Sequence, residues 1–134
     1  MKSVPNKLDT ILVIDDEPAH RMLIKRAIKG IFPEVHIVEA ENINLAKQQF
    51  GASAPIAITL DLVLGHESGF DFLKWVRQSP IASKVPLMVV TTSQLQSDIS
   101  TANSLGADAF VTKNADLNLN AQQIQTALKT ILGL

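Results

Sequence analysis

The side chains best equipped for chemistry are two adjacent aspartates, Asp15 and Asp16, a third at Asp61, a threonine at Thr91 and a lysine at Lys113. Each ends or follows a short β-branched run. If those runs are strands of one parallel sheet, the five side chains share its carboxyl edge, where open α/β sheets bind ligands. Three carboxylates held together repel one another, and a hard divalent cation relieves that repulsion. Mg²⁺ suits the set, because it takes one or two carboxylates together with a substrate phosphate. Lys113 adds a positive charge and Thr91 a hydroxyl donor, which suits a dianionic oxyanion such as a phosphoryl group. Neither a Gly-Lys-Ser/Thr phosphate loop nor a Gly-x-Gly-x-x-Gly loop is present, so a tightly held nucleotide is not the expected donor. A carboxylate can itself be the covalent acceptor.

The elements that must position these residues alternate along the chain. Thr10–Ile14 is an uninterrupted apolar run of the kind buried on both faces of a parallel sheet. Asp15-Asp16-Glu17-Pro18 reads as a helix start, with Asp16 as N-cap and Pro18 in the first turn. That helix is expected to reach about Phe32, with Leu23, Ala27 and Ile31 on one face, Ile24 and Ile28 beside them, and Gly30 and Pro33 marking its end. A second strand is expected over Val35–Val38. A short helix follows over Ile43–Phe50, with Ile43, Ala46 and Phe50 inward, and then a loop over Gly51–Pro55. Ile56–Leu60 is the third strand and Leu62–Ser68 a loop. Gly69–Gln78 is a helix with Phe70, Leu73 and Val76 on its core face and Trp75 beside them. Leu87–Thr91 and Ala109–Thr112 are the fourth and fifth strands, with a weakly amphipathic helix over Gln94–Leu105 between them. Ala121–Leu132 is the last helix, repeating Ala121, Ile124, Leu128 and Ile131 at helical spacing. Five strands alternating with five helices predict a doubly wound five-stranded parallel sheet, (βα)₅, with helices on both faces.

Composition narrows the functional classes. The 134 residues suit one compact domain, and 46% hydrophobic with 19% charged residues marks a globular chain. Twelve Lys and Arg against thirteen Asp and Glu give a formal charge of -1, which argues against nucleic-acid binding by bulk basic charge and against a polybasic membrane anchor. There is no cysteine, so thiolate chemistry and disulfides are excluded. No apolar run approaches the roughly 20 residues that span a bilayer, and Met1–Asp9 lacks a signal-type apolar segment. The expected location is the cytoplasm.

With these residues in place, the sequence resembles the receiver domain of two-component response regulators over about Leu8–Leu134. The resemblance rests on Ile-Leu-Val-Ile-Asp15-Asp16-Glu-Pro, Asp61-Leu-Val-Leu-Gly-His-Glu-Ser-Gly69, Val-Val-Thr91-Thr-Ser and Gly106-Ala-Asp-Ala-Phe110-Val-Thr-Lys113. Any one is weak alone, but together and in order they are specific. The resemblance implies that Asp61 accepts a phosphoryl group from a phosphohistidine on a sensor histidine kinase or phosphotransfer protein. It implies Mg²⁺ held by Asp16, Asp61 and the Val63 backbone carbonyl, with Asp15 acting mainly through water. Thr91 and Lys113 would bind phosphoryl oxygens. Thr91 and Phe110 would move on phosphorylation, remodelling a face for a downstream target protein or a second copy of the chain. That face is expected around Gln94–Leu105, Phe110 and Ala121–Leu132. One receiver domain with no output domain is expected within the 134 residues.

The sequence departs from the family pattern at several points. Asn114 follows Lys113 where a proline after a cis bond is usual, so that bond is either strained or the loop follows another path. Gly65 stands where many members have proline, which predicts a looser loop after Asp61. Phe110 replaces the commoner tyrosine and lacks its hydroxyl. Val63 and Ser93 flank the phosphoryl site and, by resemblance, tune hydrolysis; Val63 cannot hydrogen-bond an attacking water. His20, His36 and His66 show no metal-ligand spacing and read as surface or half-buried residues. The row Arg21, Lys25, Lys29 reads as a solvated face. A phosphorylation-independent binding module on the same fold is the main alternative. A phosphatase with an aspartyl nucleophile is disfavoured, because the Asp-x-Asp motif is broken by Val63.

Overall fold

The computed structural model describes residues 4–134. Five parallel strands form the central sheet: β1 (Thr10–Ile14), β2 (His36–Ala40), β3 (Ala57–Leu60), β6 (Leu87–Thr91) and β7 (Ala109–Thr112). They lie in the order β2-β1-β3-β6-β7, with every pairing parallel. The order reverses direction at β1, so the neighbouring carboxyl ends of β1 and β3 form the crevice where a doubly wound sheet receives its ligand.

Alternation along each strand divides the core in two. Leu12, Ile14, Ile58, Leu60, Leu87 and Val89 face one side, and Ile11, Val13, Ala57, Met88 and Val90 face the other. Helices α2 (Ile43–Ser53) and α3 (Gly69–Gln78) cover the first side together with Ala102 of α4 (Gln96–Ser104). Helices α1 (Pro18–Ile31) and α5 (Leu117–Ile131) cover the second. Strands buried on both faces have little alternation in polarity, which is why the sequence shows near-continuous apolar runs.

Several expected boundaries shift, each for a local reason. The N-cap of α1 is Glu17, not Asp16, and it makes no side-chain cap bond. The Asp15 carboxylate instead accepts the Glu17 N–H at 2.9 Å, and Pro18 opens the helix with no N–H to satisfy. Gly30 lies inside α1 rather than ending it. A Cβ there would meet Gln125 Nε2 at 2.8 Å, so the missing side chain admits α5, whose Gln125 donates to the Ala27 carbonyl. Strand β2 begins one residue later than expected and ends two residues later, and β3 begins one residue later. Helix α2 continues through Gly51 and Ala52 to Ser53 and closes on Ala54, whose φ of 45° is left-handed. In α3 the fully buried aromatic is Phe72, while Phe70 is half-buried; Trp75 packs edge-on to Phe50 at 5.8 Å. Helix α4 is shorter than expected, and Ala102 is its one buried residue. Helix α5 begins a turn early because Asp116 accepts the Leu119 N–H as N-cap.

Within the expected loop after Asp61 sits a small antiparallel hairpin, β4 (Val63–Leu64) and β5 (Glu67–Ser68). Its two-residue turn is Gly65-His66, and Gly65 has φ of 64°. Positive φ at the first turn position belongs to the hairpin turns that glycine favours, and proline could not adopt it.

Candidate functional site

Strand register brings the first two acids together. Ile14 pairs with Leu60, so Asp15 and Asp61 leave the sheet side by side. The ladder continues one step further, with the Asp61 N–H on the Ile14 carbonyl and the Asp15 N–H on the Ala40 carbonyl. At the other edge Thr91 pairs with Thr112, and the Lys113 N–H donates to the Thr91 carbonyl at 2.7 Å. The backbone alone therefore delivers four strand ends, those of β1, β3, β6 and β7, to one rim.

Lys113 joins them. Its Nζ donates to Asp15 Oδ2 at 2.7 Å and to Asp61 Oδ2 at 3.0 Å. Asp15 is fully buried, and the side chains of Asp61 and Lys113 are 9% and 11% exposed. Ion pairs this far from water are coupled strongly, and loss of one partner strands a buried charge. Burial pushes the Asp15 carboxyl above its usual range. The Lys113 ammonium and the Glu17 N–H pull it down, while the negative charge of Asp61 pushes it up again. Arg21 steadies the loop by donating to the Asp15 carbonyl at 2.7 Å while pairing with Glu39.

The remaining expected residues occupy different parts of the rim. Asp16 is turned toward the hairpin, where Oδ2 accepts the Gly65 N–H at 3.0 Å. A proline at position 65, having no N–H, could not make this tie. The Val63 N–H donates to Asp61 Oδ1 at 3.3 Å, and its side chain is 58% exposed. Leu64 and Glu67 flank the two-residue turn and exchange backbone bonds across the hairpin. Val63 and Ser68 are the next pair and turn their backbone groups outward. Thr91 is fully buried, and its hydroxyl accepts a long bond from the Ser93 N–H. The Ser93 hydroxyl is engaged with α4, donating to Asp98 and accepting from the Leu95 N–H. Phe110 is half-buried and forms part of two grooves, one against α5 and one against α4. No peptide bond among the described residues is cis, so the Lys113–Asn114 link takes the other path, and Lys113 still reaches both carboxylates.

One participant was missed. His20, expected to be a surface or half-buried residue without a role in the site, is half-buried and places Nδ1 2.9 Å from Lys113 Nζ and 3.7 Å from Asp15 Oδ2. Ligand atoms of Asp15, His20 and Asp61 all lie within 4.8 Å of one another. The available signal was its place one turn into the helix that follows Asp15. The arrangement fits a divalent cation by its chemistry: two buried carboxylates share one ammonium, and desolvation opposes charge on Asp15.

Comparison with known proteins follows this geometry. A family model described as the response regulator receiver domain matches residues 11–128. The chemotaxis protein CheV1 of Helicobacter pylori is 28% identical over 131 residues, covering 92% of this chain and 38% of that protein. Response regulator Rcp1 of Synechocystis is 25% identical over 125 residues, covering 87% of this chain and 84% of its own. The crystal structure of the Mn²⁺-bound form of Rcp1 superposes with a TM-score of 0.80 at 24% identity, covering 92% and 94% of the two chains. A phosphorylated cyanobacterial phytochrome response regulator, RcpA, superposes with the same score at 25% identity and the same coverage. The chain spans about half or less of the length of the curated relatives CheV1 and KdpE of Escherichia coli. No helix among the described residues is long and apolar enough to cross a membrane.

Proposed function

The chain belongs to the response regulator receiver domain family of two-component signalling, and we propose that Asp61 is its phosphoryl acceptor. The observation that carries this reading is the Lys113 ammonium bridging Asp61 and Asp15 inside a nearly closed rim. Asp61 Oδ attacks phosphorus, an O–P bond forms, and the bond from phosphorus to the donor breaks. With a phosphohistidine donor, the electron pair and a proton go to the departing imidazole of a sensor histidine kinase or phosphotransfer protein.

Asp15, Asp16, Asp61 and the Val63 carbonyl are the groups that would hold Mg²⁺. When bound, the cation offsets charge on the carboxylates and the incoming phosphoryl oxygens. Lys113 follows the new charge from the carboxylate to a phosphoryl oxygen. Thr91, buried at the end of β6, offers its hydroxyl to another. The domain does no chemistry beyond gaining and losing its own phosphoryl group.

The output runs through Phe110. It borders the groove shared with Gln94, Leu119 and Gln122, and also the groove against Ile99 and Asn103. Inward rotation of the ring changes both at once, over the face formed by residues 94–105, 110 and 121–132. A downstream protein or a second copy of the chain is the reader of that face.

The test is intact mass after incubation with Mg²⁺ and acetyl phosphate. Addition of one phosphoryl group in the parent protein and none in Asp61→Asn is the expected result. No adduct, with this donor or with a cognate kinase, would leave a phosphorylation-independent binding module instead.

A further inference from the structure

We propose that His20 is a positioning residue for Lys113, supplying the third acceptor of an ammonium whose other two partners are Asp15 and Asp61. The inference deepens, and rests on, the reading of Asp61 as phosphoryl acceptor. A lysine ammonium has three N–H donors and no acceptor. Here its three partners are Asp15 Oδ2 at 2.7 Å, His20 Nδ1 at 2.9 Å and Asp61 Oδ2 at 3.0 Å. All three donors are used.

A ring nitrogen at that distance from an ammonium has to accept. Nδ1 therefore carries the lone pair, the ring proton sits on Nε2, and the imidazole is neutral. A proton on Nδ1 would set two donors face to face and leave one N–H of a nearly buried ammonium without a partner. The histidine is placed for this task by α1. Pro18 opens the helix, and His20 is its third residue, projecting beside Leu23 and Ile24 toward Lys113 and Asn114.

A neutral acceptor matters because the two carboxylates change character during the reaction and the imidazole does not. Phosphorylation turns one oxygen of Asp61 into an acyl phosphate and moves its charge onto the phosphoryl group. A divalent cation, when bound, would draw on Asp15. Both events weaken the hold of the carboxylates on Lys113 while leaving the His20 contact intact. The ring acts as a fixed anchor about which the ammonium turns from carboxylate to phosphoryl oxygen. Its contribution is orientation, since it brings no charge.

The test joins a spectroscopic readout to a kinetic one. Nitrogen-15 spectra of the intact chain at neutral pH, without added metal, are compared with those of Lys113→Met. The expected spectrum shows an unprotonated His20 Nδ1 that shifts when the lysine is replaced. Phosphorylation by acetyl phosphate is then compared in His20→Leu, which keeps bulk and loses the acceptor, and His20→Asn, whose Oδ1 takes the place of Nδ1. The leucine variant is expected to be phosphorylated about fivefold more slowly, as befits one lost hydrogen bond. Its melting temperature and divalent-cation affinity should not change, and the asparagine variant should recover the parent rate. A protonated Nδ1, or one indifferent to Lys113→Met, overturns the proposal; so does a leucine variant as fast as the parent. Failure of the parent itself to take a phosphoryl group would strike the reading of Asp61, while the nitrogen spectra still decide the His20 contact.

Discussion

A Cβ built on Gly69 would lie 2.1 Å from the Asp61 carbonyl oxygen and 2.9 Å from the Leu62 Cα. The first residue of α3 therefore rests directly on the backbone of the candidate acceptor. The Gly69 N–H also donates to the Leu62 carbonyl at 2.9 Å, so the two segments cannot part without losing that bond.

Gly69→Ala has no flexible side chain to push aside, only the main chain carrying Asp61. Overpacking of this kind costs about 1–3 kcal/mol in a rigid site, and the backbone contact points to the upper end. Urea denaturation should show that loss, and acetyl phosphate should label the variant more slowly even where it remains folded. An alanine variant with parent stability and labelling would mean that the contact is slack.

Asp15 and Glu39 respond to pH in opposite senses. Burial holds Asp15 above its usual value of 3.8, so its share of stability is full below that pH and is lost as pH rises through the raised value. Asp15→Asn carries no such loss. In EDTA its urea midpoint should equal or exceed that of the parent at neutral pH, with the gap closing on acidification. Added Mg²⁺ should stabilise the parent and leave the variant unmoved. Lys25 and Arg21 hold Glu39 below its usual 4.5, so its share is present above 4.5 and fades as pH falls through the lowered value. The Glu39 side chain is 37% exposed, and Glu39→Gln should flatten the acid limb by less than about 1 kcal/mol. An Asp15→Asn variant whose midpoint in EDTA falls below that of the parent at neutral pH would contradict the Asp15 argument.

Thr59 is fully buried in β3, and its hydroxyl has no hydrogen-bond partner. An unpaired buried hydroxyl costs about 1–3 kcal/mol, and valine has nearly the same shape without that group. Thr59→Val should therefore raise stability by about 1 kcal/mol, or about 3 °C in melting temperature for a chain of this length. The side chain lies within β3, two residues before Asp61, so labelling by acetyl phosphate should be unaffected. A drop in melting temperature would show that the hydroxyl is satisfied in solution.

The legible part of this site was the part fixed by backbone periodicity. Asp15, Asp61, Thr91 and Lys113 each mark the end of an apolar run, and strand register does the rest. What escaped depends on side chains reaching between elements. His20 enters the site through its position on α1, and no spacing among His20, His36 and His66 signals that. Asp16 looks like an N-cap by type and place, yet the Asp15 carboxylate already closes that turn, which frees Asp16 for the Gly65 N–H. The hairpin that presents Gly65 has two-residue strands, too short for any alternation to register. Phe70 and Phe72 share α3, and Phe72 is the buried one because the inward face runs Gly69, Phe72, Leu73, Val76.

Val63 stands beside Asp61 with its N–H on the carboxylate and its side chain 58% exposed, so an apolar surface flanks the position where a water would attack an acyl phosphate. Valine offers that water neither donor nor acceptor. Asparagine at this position can orient it with one hydrogen bond, worth about 1 kcal/mol, or about fivefold in rate. Val63→Asn is therefore expected to shorten the lifetime of the phosphorylated form about fivefold, followed as decay of the phosphoryl mass adduct after the donor is removed. The N–H to Asp61 comes from the backbone and survives the change, so labelling should remain intact while loss of the label accelerates. A decay rate equal to or slower than that of the parent would rule out Val63 as the residue that keeps water idle.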